Sequence, residues 1–267
     1  MSAQTQAGAA TAPAPVAPLL RLRGLTKSFG AVQAMRGADL DVAAGEVVAL
    51  VGDNGAGKST LIKAVTGVQP ADGGTIEMDG VPVSIKAPQD SAALGISAVY
   101  QDLALCDNLD VVANLFLGQE SQRNGKVLDE IAMEKESRRL LDRLAVKTLR
   151  SVRSEVGALS GGQRQTVAIA RSMLGDPKLV ILDEPTAALG VSQTAQVLEL
   201  VKRLRSEGIG VIIISHNLAD VFQVADRIVV LRLGAVTGEW TAAPENRQAV
   251  VGAITGADIE NGDEVTP

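Results

Sequence analysis

Short apolar runs and longer helical periods alternate along this chain, and their order outlines a fold. Residues Met1 to Pro18 show neither pattern. They are Ala, Thr, Gln and Pro without charge, which cannot bury enough apolar surface to offset ordering entropy, so a disordered leader is expected. From Leu19 to Val51 the pattern is strand-like: Leu20, Leu22 and Leu25, then Leu40-Asp41-Val42 and, after the turn Ala44-Gly45, the run Val47-Val48-Ala49-Leu50-Val51. Thr75 to Met78 and Val81 to Ile85 flank Asp79-Gly80, a two-residue hairpin signal, so a small antiparallel sheet should sit beside the strand ending at Val51. Ile96 to Tyr100 reads as a further short core strand.

Between Asp102 and Leu159 the pattern turns helical. Asp110 to Leu117, closed by Gly118, predicts a short helix, and Asp129 to Leu144 an amphipathic one with Ile131, Met133, Leu140, Leu141 and Leu144 on its apolar face. After Ser160 helix and strand alternate in the α/β manner. Helices are expected over Gly162 to Leu174, Ser192 to Arg205 and Asn217 to Ala225, and buried strands over Leu179 to Leu182, Gly210 to Ile214 and Arg227 to Leu233. The expected architecture is an α/β domain over 19–255 with a mainly parallel core sheet, an antiparallel β subdomain and an α-helical subdomain inserted at 102–159. The acidic stretch 256–267 should fray.

Composition narrows the partners. Aromatic residues make up 2% of the chain and the net charge is −6 without a basic block, which argues against stacking on, or electrostatic binding to, nucleic acid. The single cysteine, Cys106, permits no intrachain disulfide and reads as a small core residue. No run approaches the roughly eighteen apolar residues of a membrane span, and the N-terminus lacks a secretory pattern. A cytosolic protein is expected, which could work at a membrane only by docking on something embedded there.

Candidate chemistry begins where the Val47–Val51 run ends. Gly52-Asp53-Asn54-Gly55-Ala56-Gly57-Lys58-Ser59 fits the phosphate-binding loop G-x-x-x-x-G-K-[ST] at every fixed position, with Thr60 following on the expected helix. Glycines let backbone N–H groups curl around phosphates, and a helix N-terminus adds its dipole. Lys58 would meet the β- and γ-phosphates and Ser59 a Mg²⁺ ion. Leu179-Val180-Ile181-Leu182-Asp183-Glu184 is an apolar strand ending in two acids. By itself that could be a solvated turn; beside a phosphate loop, Asp183 suits a metal and Glu184 an attacking water. In Leu159-Ser160-Gly161-Gly162-Gln163, Ser160 is a good N-cap and the glycines offer a second anion cradle, one that suits a nucleotide held by another subunit.

Together these motifs resemble the ATP-binding cassette family over Leu20 to Trp240. Leu159 to Gln163 matches its signature sequence. Gln101 matches its glutamine loop, His216, the only histidine, its switch histidine, and Phe29 the aromatic that stacks on adenine, although Phe29 could instead be a core residue of the small sheet. The resemblance implies a P-loop ATPase of the cassette type with ATP and Mg²⁺ as ligands. It implies Ser59, Gln101 and Asp183 at the metal, Glu184 as base, and His216 at the γ-phosphate. Ser160, Gly161, Gly162 and Gln163 would close on the nucleotide of a second copy. The run Glu184 to Val191, with Gln101-Asp102-Leu103 and Ser215-His216-Asn217-Leu218, looks like the simple-sugar importers. That implies a peripheral ATPase at the cytoplasmic face of the membrane, bound to integral permease subunits and served indirectly by a solute-binding protein. The alternatives are the ATPase of another transporter, for a different solute or for export, or a soluble cassette ATPase. Gly190 departs from the pattern, standing where an aspartate is usual, which puts communication between the subunits in doubt but not ATP binding.

Overall fold

In the computed structural model, which describes residues 18–123, 125 and 127–257, the chain begins with β1 (Leu20–Phe29), β2 (Val32–Val42), β3 (Val47–Val51), α1 (Lys58–Val65), β4 (Gly73–Met78) and β5 (Val81–Val83). It continues through α2 (Pro88–Ala93), β6 (Ile96–Val99), α3 (Val111–Phe116), β7 (Gln122–Arg123), β8 (Val127–Leu128) and α4 (Glu130–Arg143). The remaining elements are α5 (Gly161–Ser172), β9 (Leu179–Asp183), α6 (Val191–Ser206), β10 (Gly210–Ile214), α7 (Leu218–Val224), β11 (Arg227–Arg232), β12 (Ala235–Thr241) and α8 (Arg247–Thr255). The expected disordered leader, apart from Pro18, and the expected frayed tail, apart from Gly256 and Ala257, lie outside the described residues.

The main sheet has the order β12-β11-β3-β10-β9-β6 and is parallel except for the edge strand β12. All five residues of β3 and of β10 are buried, as continuous apolar runs require of strands covered on both faces. Alternate side chains serve different cores. Val47, Ala49 and Val51 pack with residues of α3 to α6, whereas Val48 and Leu50 pack with α1 and the antiparallel sheet. That second sheet, β2-β1-β4-β5, pairs Leu20 with both Val42 and Met78. Its β4–β5 hairpin turns on Asp79 and Gly80, both at positive φ, the geometry that two-residue hairpins favour.

Register explains where the chemistry collects. Leu50 pairs with Ile214 and with Val229, Ile214 pairs with Asp183, and Leu182 pairs with Val99. The carboxyl ends of β3, β10, β9 and β6 therefore finish level, and Gly52, His216, Asp183-Glu184 and Gln101 all leave the sheet along one edge. This is where open α/β sheets place ligands.

The stretch 102–159 is less helical than its pattern suggests. It holds α3, α4, a 3₁₀ turn at Val156–Ala158 and the small antiparallel pair β7–β8. Strands of two exposed residues are too short to impose a period on the sequence. Its helices are capped by side chains, Asp110 accepting from Ala113 N and Asp129 from Ala132 N.

Candidate functional site

The loop after β3 is shaped by what surrounds it as much as by any ligand. Gly52, Gly55 and Gly57 have φ of 149°, 81° and 106°. A Cβ at Gly52 would overlap the carbonyl oxygen of Leu231 in β11, and one at Gly57 would stand 2.8 Å from the carbonyl oxygen of Ala34. The β11–β12 turn is stitched to the same loop by Gly234 N donating to Ala56 O at 2.9 Å. Gly52 and Gly57 are thus required by packing before any phosphate arrives. Lys58 curls back and donates from Nζ to the carbonyls of Gly52 (2.6 Å) and Asp53 (3.0 Å). Burial holds its ammonium below the usual lysine range, against the opposing pull of Glu184, Asp53 and Asp183.

Above the loop opens a cleft of about 390 Å³ whose walls include Phe29, Lys58, Ser59, Gln101, Asp183 and Glu184. Asn54, Gly55, Ala56, Gly57 and Thr60 complete the loop side. Phe29 is not a core residue. Its side of β1 is open, the residue is 44% exposed, and Lys27 Nζ lies 5.8 Å from the ring centroid. Lys27 is itself held by Asp72 (2.7 Å) and Pro70 O (2.7 Å), so one face of the ring is backed by a fixed cation.

The acids sit opposite. Burial, and then the adjacent Glu184 carboxylate, pushes Asp183 above the ordinary aspartate value, with Lys58 and Lys63 pulling the other way. A half-buried acid raised in this way fits a divalent cation. Among the described residues, no group of three or more His, Cys, Asp or Glu could hold a metal unaided, so the Ser59 hydroxyl and phosphate oxygens would have to complete the ligand set. Glu184 has φ 50°, unusual for a residue with a Cβ, and its N–H donates to Ile214 O at 2.9 Å. His216 Nδ1 lies 2.8 Å from Glu184 Oε2. The histidine opens not into the main cleft but into an adjoining hollow of about 190 Å³ that it shares with Gly52, Asp53, Val251 and Ile254.

The signature segment is elsewhere. Ser160 Oγ accepts from Gln163 N (3.4 Å) and Gln163 Oε1 accepts from Ser160 N (2.9 Å), a reciprocal cap on α5. Gln163 Nε2 donates to Thr148 O at 2.7 Å. Both ends of the Gln163 amide, a residue the resemblance puts at a nucleotide, are thus occupied within its own chain, Oε1 by the cap and Nε2 by Thr148 O. Gly161 and Gly162 pack against Leu189 and Gln193, with no room at Gly162 for a Cβ beside Gln193. Ser160 to Gln163 do not line the cleft of Lys58 and Glu184.

Several contributors carried no sequence signal. Val251 and Ile254 come from α8, a helix with one buried side chain and no clear period. Arg171 of α5 donates to the carbonyls of Leu103 (2.7 Å) and Ala104 (2.8 Å), tying the segment after Gln101 to the helix that begins at the signature. Burial draws its guanidinium below the usual arginine range.

Comparison with known proteins agrees with this geometry. The family profile described as ABC transporter matches residues 35–187. The chain is 46% identical over 223 residues to a fructose import ATP-binding protein of Rhizobium meliloti, covering 81% of this chain and 86% of that protein. It is 46% identical over 218 residues to a xylose/arabinose import ATP-binding protein of Sulfolobus acidocaldarius, covering 82% and 86%. Against a ribose import ATP-binding protein of Rubrobacter xylanophilus it is 42% identical over 243 residues, covering 91% of this chain but 48% of that longer one. Among solved structures, a nucleotide-free ATP-binding cassette from an ABC transporter superposes with a TM-score of 0.79 at 27% identity, covering 92% of this chain and 100% of the other. The ADP conformation of another such cassette gives 0.78 at 29%, covering 92% and 99%. The loop, the acid pair and the sheet order thus carry a family likeness that spans most of the sequence, and the chain belongs to the ABC transporter family as one of its ATP-binding cassettes.

Proposed function

We propose that this chain is the ATP-hydrolysing subunit of a membrane importer for a monosaccharide. Two copies work head to tail beneath integral permease subunits at the cytoplasmic face of the membrane, and a solute-binding protein delivers cargo to those subunits. One observation carries the reading: Lys58, Ser59, Gln101, Asp183 and Glu184 share a cleft, while Ser160 to Gly162 do not line it. Each copy then holds half of each site. The sugar class rests on the three relatives, whose names specify fructose, xylose/arabinose and ribose import.

Placement supports a role for each side chain. Lys58 exchanges the Gly52 and Asp53 carbonyls for the β- and γ-phosphates, and Gly52 to Thr60 surround them with N–H groups. Mg²⁺, bound by Ser59 and supported by Asp183 and Gln101, supplies charge neutralisation at the phosphates. Glu184 orients the attacking water and takes its proton on a carboxylate oxygen. His216 keeps Nδ1 on Glu184 and turns its other nitrogen to the γ-phosphate. Phe29 stacks on adenine, and Ser160 with Gly161 and Gly162 closes over the nucleotide of the second copy. Gln163 holds Ser160 in place rather than touching the nucleotide.

Size-exclusion chromatography with light scattering tests the shared site. The Glu184→Gln chain should become a dimer with Mg²⁺-ATP and revert with EDTA; a monomer at every ATP concentration would overturn the half-site reading. Cells lacking the chain should lose uptake of one radiolabelled monosaccharide among fructose, xylose, arabinose and ribose. Unaltered uptake of all four would overturn the sugar assignment.

A further inference from the structure

Two segments that carry the hydrolytic side chains are joined twice. The first link is His216 Nδ1 to Glu184 Oε2 at 2.8 Å, and its histidine side chain is 73% exposed. The second lies deeper: Thr186 Oγ1 donates to Asp220 Oδ2 at 2.8 Å, and Asp220 is 5% exposed. Thr186 follows Glu184 by two residues, and Asp220 follows His216 by four, in the first turn of α7. Among the described residues, the Thr186 hydroxyl is the side-chain partner of the Asp220 carboxylate.

We propose that Thr186 and Asp220 form a positioning clamp for the Glu184–His216 pair. This rests on the reading of Glu184 as base and His216 as γ-phosphate contact. Glu184 needs help to keep its orientation. Its φ of 50° stores strain, and the backbone bonds near it are Glu184 N to Ile214 O (2.9 Å) and Ala187 N to Glu184 O (3.1 Å). On the other side, Ser215 Oγ accepts from Asn217 N and Asn217 Oδ1 accepts from Ala219 N, which fixes the start of α7 but makes no bond to the Glu184 strand. The Thr186–Asp220 bond is the side-chain link that crosses from the loop after Glu184 to α7. The exposed link, open to solvent, is the weaker of the two. The deeper one keeps the two segments in register, so that Glu184 and His216 stay paired as Nε2 meets the phosphate.

Asp220 also stands in the first turn of α7, where a carboxylate favours the helix dipole. That purely structural role does not involve Thr186, so substitutions of the threonine separate the two. Thr186→Val keeps the shape and removes the donor. It should lower kcat roughly tenfold, the loss of one charge-assisted hydrogen bond, while ATP Kd by equilibrium dialysis stays within about twofold. Thr186→Ser should restore kcat. Because Thr186→Val strands a buried carboxylate, the double variant Thr186→Val/Asp220→Leu is measured beside it. Removing both partners should return Tm to near the wild-type value but leave kcat low. A double variant with native Tm and native kcat would overturn the clamp, as would a Thr186→Val chain whose kcat and ATP affinity fall together. Glu184→Gln is the control for the underlying reading: if it hydrolyses ATP at the wild-type rate, the assignment of the base fails and the clamp with it. If it is inactive while the double variant is native in both respects, the clamp alone fails.

Discussion

His216 Nδ1 and Glu184 Oε2 stand 2.8 Å apart, with the histidine mostly exposed and the carboxylate mostly covered. That contact occupies the Nδ1 side of the ring and leaves the Nε2 side for an outside partner. His216→Ala should therefore cut single-turnover hydrolysis by roughly 10²-fold and change ATP Kd little. Equal losses in both would place the histidine in binding instead.

Lys58→Ala removes the one flexible cation of the loop. ATP affinity should fall on the order of 100-fold, in line with the loss of charge-assisted bonds to phosphate, and titration calorimetry would read it directly. An unaltered affinity would contradict the site.

The two kinds of loop glycine should separate by substitution. Gly55 has open space around it, so Gly55→Ala faces only the cost of φ 81°, about 1–2 kcal/mol. Gly52→Ala collides with the backbone of β11 as well, and should cost more in urea unfolding. If the two variants unfold at the same urea concentration, the contact with Leu231 is not the constraint.

Asp183 gives a pH prediction for the nucleotide-free chain. Its folded value is raised, so between the ordinary aspartate value and that raised value the native state binds more protons than the unfolded one. Stability attributable to this group therefore declines as pH rises through that window and is present in full below it. Asp183→Asn should raise Tm at neutral pH, and the gain should vanish in acid. Mg²⁺-ATP should stabilise the wild type more than the variant. Melting curves from pH 3 to 8 would show either trend.

Arg171→Ala leaves the carbonyls of Leu103 and Ala104 without their donor and frees the segment after Gln101 from α5. A stability loss of about 1–3 kcal/mol is expected by chemical unfolding. Faster amide exchange confined to residues following Gln101 should accompany it; uniform exchange would point to a global effect.

The phosphate-loop side of the candidate site could be read from the sequence because its physics is local. A buried strand, a glycine loop, a lysine and a helix start are all contiguous from Val47 to Thr60, and Asp183 closes an apolar run that could only be a covered strand. Phe29 was readable as a residue but not as an exposed one, since its environment depends on how β1 meets the loop before β4. The cap role of Gln163 was readable from its spacing to Ser160, but the resemblance drew attention to the signature instead of to this local signal. The pairs Glu184–His216 and Thr186–Asp220 were out of reach. They span more than thirty positions, and only strand register brings them together. β12 and α8 escaped because neither buries a complete face, so neither writes a period into the sequence.

The reciprocal cap of Ser160 and Gln163 has a consequence for dose response. Because the cap holds Ser160 in place without a nucleotide, closure in the proposed head-to-tail pair would need little ordering of this segment. In a head-to-tail pair, one association event seats two nucleotides. Occupancy should then follow mass action in both species: a Hill coefficient for ATP approaching about 2, and a half-saturating ATP concentration that falls as the protein is concentrated. Tethering two copies, as membrane subunits would, should move the chain along that curve without altering a single contact in either half.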